Sequence, residues 1–209
     1  MYLWPLAAMM MALTVLSVAC GSQDSNDLPV YGKIPDFSLT DQLGQDFTRE
    51  ELQGKVFLAN FIFTNCTEFC PTLTPRMGQI QADLEDDDLL GNEVILLSFS
   101  VDPAHDTPNR LRSYAEKHVA NHDAWRFLTG PTEVIQQIIT DGLKLAYGQV
   151  NESHQHTHED GSIHIHEYDV FHTNRVVLGD KSGRVRAYYD GAVDWDAAKV
   201  TKDISQLLE

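Results

Sequence analysis

Cysteine is scarce in this chain, with three in 209 residues, and so are basic side chains, 15 Lys and Arg against 31 Asp and Glu. Three cysteines are too few for a disulfide scaffold. The net charge of −16 excludes a nucleic-acid partner, because phosphate binding needs clustered Lys and Arg to displace counterions. Recognition of anionic lipid headgroups is disfavoured on the same ground. No internal repeat is present, so a solenoid or propeller is excluded. What is there describes a globular protein of one ordinary domain: 43% hydrophobic and 22% charged residues, on a chain long enough to bury a real core.

Residues 2–20 contain no charged side chain, and the run is about the length that spans a bilayer. It lies at the extreme N-terminus and ends in small residues, as an export signal does. Leu16-Ser-Val-Ala-Cys20 before Gly21 resembles a bacterial lipoprotein signal, in which Cys20 becomes the lipidated first residue. The alternative is an uncleaved anchor helix with an incidental cysteine. Either reading divides the chain into a signal peptide or membrane anchor over 1–19, a flexible Ser/Asp/Asn/Gly-rich tether over 20–32, and a folded domain over 33–209. Both place that domain outside the cytoplasmic membrane, in the cell envelope.

Within the domain, Val56-Phe-Leu-Ala-Asn-Phe-Ile-Phe63 and Val94-Ile-Leu-Leu-Ser-Phe-Ser-Val101 are nearly continuous apolar runs. Such runs suit strands buried on both faces of a sheet. A first hairpin is expected over 33–48, a strand over 125–129, and a closing hairpin at 173–178 and 185–189. Helices are expected over about 72–84, from Pro108 onward, over 131–143 and over 195–208. Asp106 is read as the cap of the second helix and Asp102 as a turn residue before Pro103. Strands alternating with helices, then a hairpin, indicate an α/β sandwich with a mixed central sheet, flanking helices and inserted hairpins.

Cys66 and Cys70 are four residues apart where the first buried run hands over to a helix. Residues i and i+4 share one face of a helical turn, so two thiols there can close a disulfide or chelate one metal ion. A helix N-terminus favours thiolate, the form that attacks disulfides and binds metal. Spacing alone leaves a plain structural disulfide open. Thioredoxins have two residues between their cysteines, and here there are three; a peroxidase site needs Thr three residues before its cysteine, and Thr64 is two before Cys66.

Residues 154–166 (HQHTHEDGSIHIH) hold five histidines in two alternating runs within a hairpin insertion over 150–168. A three-residue Glu159-Asp-Gly161 loop opposes His158 to Ser162, His156 to His164 and His154 to His166, and gathers all five on one face. A two-residue turn splits them between faces. The expectation is an accessory site for Cu(II) or Zn(II) built from His154, His156, His158, His164 and His166; the plain alternative is a solvated loop.

Thr64-x-Cys66-x-x-x-Cys70-Pro71, Ser100-Val-Asp102-Pro103 continuing to Asp106-Thr107-Pro108, Trp125-x-Phe127-Leu128-Thr129-Gly130 and a late His172 together resemble the Sco/SenC family. The likeness runs from Lys33 nearly to the C-terminus. It implies a thioredoxin-like fold tethered outside the membrane, on the periplasmic side. It also implies one copper ion, Cu(I) or Cu(II), per monomer on Cys66, Cys70 and His172. The implied partner is the copper-bearing subunit of cytochrome c oxidase. Two soft thiolates and an imidazole suit copper, whereas zinc would want a fourth ligand. The chain departs from the family pattern at Phe171, where many members carry Asp, so a carboxylate behind the histidine is absent. The function so implied is delivery of copper to that centre, or preparation of its thiols, by a chaperone rather than an enzyme. The alternative is a thiol–disulfide oxidoreductase in which Cys66 and Cys70 form the redox-active pair.

Overall fold

The computed structural model describes residues 28–66, 70–150, 154–157, 163–166, 169–172 and 174–209, and between 147 and 172 it describes backbone pairing only. The expected signal peptide or anchor over 1–19, Cys20 and most of the tether lie outside the described residues, as does His158. In chain order the strands are β1 (Gly32–Lys33), β2 (Ser38–Asp41), β3 (Asp46–Thr48), β4 (Val56–Ile62), β5 (Val94–Ser100), β6 (Trp125–Thr129), β7 (Tyr147–Val150), β8 (His154–Thr157), β9 (Ile163–His166), β10 (Asp169–His172), β11 (Arg175–Gly179) and β12 (Arg184–Asp190). The α-helices are α1 (Cys70–Asp86), α2 (Pro108–Lys117), α3 (Thr132–Gln137) and α4 (Ala197–Leu208). A wider π-turn over Ile138–Gly142 continues α3.

The main sheet has eight strands in the order β1-β12-β11-β4-β5-β6-β2-β3. Its centre is parallel, β4 beside β5 and β5 beside β6. β11 joins β4 antiparallel, and β2 joins β6 antiparallel. The expected mixed sheet is therefore present. Every residue of β4 and β5 is buried, as their unbroken apolar runs require of strands covered on both faces.

Alternation along these strands divides the interior in two. Val56, Leu58 and Ile62 of β4 face the layer formed by Leu73, Met77, Ile80 and Leu84 of α1, Leu111 of α2 and Val200 and Ile204 of α4. Phe57, Ala59 and Phe61 face the other way, onto Phe37, Phe47, Phe99 and the Ile135–Leu143 segment. Among the described residues no helix is long and apolar enough to cross a membrane.

Two expectations are corrected. The segment expected as one helix over 131–143 is a short α-helix followed by the π-turn. Gly142 sits there so close to Pro35 that a Cβ would lie 2.3 Å from its Cδ, a tertiary constraint invisible to local periodicity. Asp106 does not cap α2; Thr107 does, its hydroxyl accepting from the Arg110 N–H at 3.4 Å, with Pro108 opening the helix.

The closing hairpin turns through Asp180–Gly183, with Gly183 in the left-handed region at φ +79°. The buried Asp180 carboxylate accepts from the Ser182 and Arg184 amides at 3.0 Å each, from Arg184 Nε at 2.8 Å and from an Arg186 Nη at 2.9 Å. Burial pushes its pKa up, but the Arg184 amide, the Arg186 and Arg184 side chains and the Ser182 amide outweigh that and hold it below the ordinary carboxyl range. A depressed folded-state pKa stabilises above the unfolded value, roughly pH 4, and the contribution is lost as the pH falls through the folded value. Asp180→Asn is therefore expected to lower Tm at pH 7 and to lower it much less near pH 3, as thermal denaturation at the two pH values will show.

Candidate metal and thiol centre

The main-chain run of β4 ends at Ile62, and Phe63 to Asn65 turn out of the sheet. Cys66 follows, its N–H donating to the Phe63 carbonyl at 3.0 Å. Residues 67–69 lie outside the described residues, and α1 begins at Cys70. The backbone N–H of Cys70 donates to Cys66 Sγ at 3.4 Å. The first amide of a 17-residue helix thus points at the sulfur, and such a donor stabilises negative charge on it. Both cysteines are free thiols.

Their surroundings differ. Cys70 is 1% exposed and packs into the core with Leu73 and Met77. Cys66 is half-buried and opens onto a groove of about 780 Å³ that Thr64, Arg110, Tyr114, Lys117 and His118 also line. The Cys70 thiol is held far above the ordinary thiol range, first by its hydrogen bond with Cys66, then by burial and by charge on Cys66. Cys66 is thus the sulfur that a partner or ion meets first, and Cys70 is the one behind it.

The turn is held from below by Asp106. Its carboxylate, 1% exposed, accepts from the Thr64 N–H at 3.1 Å, the Thr64 hydroxyl at 2.6 Å and the Ser100 hydroxyl at 2.7 Å. Ser100 closes β5 and Thr64 follows β4, so one side chain ties the ends of two central strands beneath the cysteine turn. Burial raises the Asp106 pKa against the lowering effect of these donors. The groove wall is fixed in a similar way: the Tyr114 hydroxyl and the Thr74 hydroxyl are 2.7 Å apart, and the His118 ring lies 4.6 Å from the Tyr114 ring. Burial, then Lys117, lowers the His118 pKa.

Of the expected site residues, the structure brings Cys66 and Cys70 together. His172 ends β10, in register with Tyr147 of β7; its side chain lies outside the description. His154, His156, His164 and His166 are in β8 and β9. Among the described residues no three His, Cys, Asp or Glu side chains form a metal-binding group. The residues missed by sequence reasoning are Asp106 in its real role and the groove-lining Arg110, Tyr114 and Lys117. The one available signal was Thr107 beside Asp106: two capping side chains in succession leave one free for another task.

Comparison with known proteins adds a family. The SCO1/SenC family profile matches residues 29–209. The chain belongs to the SCO1/SenC family. Among solved structures, a SCO1/SenC family lipoprotein from Bacillus anthracis superposes with a TM-score of 0.69 at 30% identity, covering 85% of this chain and 96% of that one. BsSco, described with a disulfide switch and as a member of the Sco family of cytochrome c oxidase assembly proteins, gives a TM-score of 0.70 at 27% identity over 88% of this chain and 98% of that one. A putative copper-binding protein of Stutzerimonas stutzeri is 27% identical over 186 residues, 87% of this chain and 80% of its own. The thioredoxin-like Sco sandwich expected from the sequence is the fold this SCO1/SenC chain has.

Removing the anchor beneath the turn should be felt at the thiols. Asp106→Ala leaves the Thr64 N–H without its acceptor, a loss worth about 1–3 kcal/mol for a buried donor. The expected result is a lower midpoint in chemical denaturation and faster labelling of Cys70 by a thiol reagent, with both thiols still countable in the unfolded chain.

Proposed function

We propose that this protein is a membrane-tethered copper carrier of the bacterial cell envelope that delivers copper to, or prepares the thiols of, the copper centre of cytochrome c oxidase. The observation that carries the reading is the cysteine turn: two free thiols at a strand-to-helix junction, one sulfur receiving the Cys70 amide at 3.4 Å and open to a groove. Two thiolates and an imidazole are a donor set for Cu(I) that also accepts Cu(II). Cys66, Cys70 and His172 are the proposed ligands of one copper ion, the cargo. The copper-binding description of the Stutzerimonas stutzeri relative and the assembly-protein description of BsSco support this assignment. A signal peptide over 1–19 that is removed when Cys20 is lipidated is supported by the uncharged N-terminal run and the lipoprotein description of the Bacillus anthracis relative, and the tether that starts at Cys20 ends where the Leu28 and Pro29 carbonyls meet Arg186. That arrangement places the domain on the periplasmic side.

A second reading rests on the unequal burial of the pair. Cys66 as thiolate attacks a disulfide in a partner and forms a mixed disulfide, releasing one partner thiolate. Cys70, losing its proton to solvent, then attacks Cys66 Sγ, which frees the second partner thiol and leaves Cys66–Cys70 oxidised. Two electrons pass to the partner. The disulfide switch described for BsSco supports this route.

Reduced wild-type protein is expected to bind one copper ion per chain, measured by elemental analysis after competition with a Cu(I) chelator. Cys66→Ser should weaken binding by at least 100-fold. Failure of the reduced wild type to bind would overturn the copper reading. His172→Ala should lose copper affinity by tenfold or more yet still reduce a model disulfide at the wild-type rate if thiol exchange is a separate capacity of the pair.

A further inference from the structure

Six of the nine histidines lie between residues 154 and 172, and the stretch from 145 to 174 contains no Lys or Arg. It carries Glu152, Glu159, Asp160, Glu167 and Asp169 instead. None of the five in 154–166 belongs to the proposed ligand set of Cys66, Cys70 and His172. Their backbone placement is specific: β8 and β9 pair antiparallel with His154 opposite His166, Gln155 opposite Ile165, His156 opposite His164 and Thr157 opposite Ile163. This is the register expected for a three-residue loop. The other register, which would split the histidines between faces, does not occur.

Register and alternation together sort this hairpin by chemistry. Directly opposed residues share a face and successive residues alternate, so His154, His156, His164 and His166 fall on one face and Gln155, Thr157, Ile163 and Ile165 on the other. Opposed Cβ atoms in an antiparallel pair are about 4.5–5.5 Å apart, and two residues along a strand advance about 6.7 Å. Four histidine positions at these spacings are close enough for one ion to be shared among them. Imidazole nitrogens in a tetragonal arrangement suit Cu(II) above other divalent first-row ions, with Ni(II) the other ion that takes that geometry and Zn(II) favouring a tetrahedral one.

We propose that the β8–β9 hairpin is a second metal site, separate from the thiols, that binds one Cu(II) ion through the opposed pairs His154–His166 and His156–His164. The surrounding acidic, base-free sequence raises the local concentration of divalent cations. A two-stranded hairpin is marginal by itself, and an ion bridging its strands adds its binding free energy to their pairing. The site lies on the same excursion of chain as His172: β9 is followed after two residues by β10, which ends at that histidine. The proposal stands whether or not Cys66, Cys70 and His172 bind copper.

The test uses the full chain carrying Cys66→Ser and Cys70→Ser, so that thiols neither bind nor reduce the probe. Titrated with Cu(II) against a competing chelator, this protein should take up one ion with imidazole nitrogen couplings in its electron paramagnetic resonance spectrum. Two further double variants keep equal numbers of histidines. His154→Asn with His166→Asn leaves an intact opposed pair; His154→Asn with His164→Asn leaves only a diagonal one. The first is expected to bind Cu(II) at least tenfold more tightly than the second. Replacing all four should abolish the nitrogen-coupled signal, and Cu(II) should raise hydrogen-exchange protection of the hairpin amides in the parent alone. Equal affinity for the two double variants would show that register is irrelevant and overturn the proposal, as would an undiminished signal without the four histidines.

Discussion

A buried carboxylate with three donors around it sets the geometry at the heart of this protein. Two neighbouring parallel strands must stop at the same level, and the chain leaving one of them must turn sharply enough to start a helix. Backbone and hydroxyl donors freed at that point need an acceptor away from water. Asp106 supplies it to Thr64 and Ser100 together. Because Thr64 is two residues from Cys66, the position of the first sulfur follows from how that carboxylate is seated. The burial that raises the Asp106 pKa is the cost of keeping the acceptor where solvent cannot compete for the donors.

From that anchor the unequal surroundings of the two thiols follow. The turn brings Cys66 to the rim of a groove, and the helix it opens carries Cys70 down among Leu73 and Met77. Copper ligation and disulfide exchange ask for the same things of a thiol pair: one sulfur that is reachable, a second within bonding reach, and a donor that tolerates charge on the first. The groove adds Arg110 and Lys117 to a chain whose net charge is −16.

The legible parts of the fold were those dictated by local pattern. The apolar runs at 56–63 and 94–101 are the central strands, the strand at 125–129 has the expected bounds, and the histidines of β8 and β9 take one of the two registers the sequence left open, that of the three-residue loop. The cysteine pair was legible because four-residue spacing at a strand-to-helix boundary has chemical meaning. What stayed hidden depended on contacts distant in sequence. Asp106 looked like a cap because caps are recognised by neighbours, whereas its partners lie 42 residues away in Thr64 as well as close by in Ser100. The π-turn after α3 answers to Pro35, a residue more than a hundred positions earlier. Strands β7 and β10 exist through pairing with each other, and neither stands out alone.

The Arg186 guanidinium donates to the carbonyls of Leu28 and Pro29 while also holding Asp180, and β1 is hydrogen-bonded to β12 at the edge of the sheet. Were the domain held by its N-terminus, as proposed, this would be the path by which force enters. Tension along such a tether would fall on a two-residue strand and one arginine, at the far side of β12 and β11 from β4. The cysteine turn leaves β4 in the interior of the sheet, two strands removed from the load. An edge that peeled under such a load would loosen β1 before it reached β4, so the mooring would give way ahead of the chemistry.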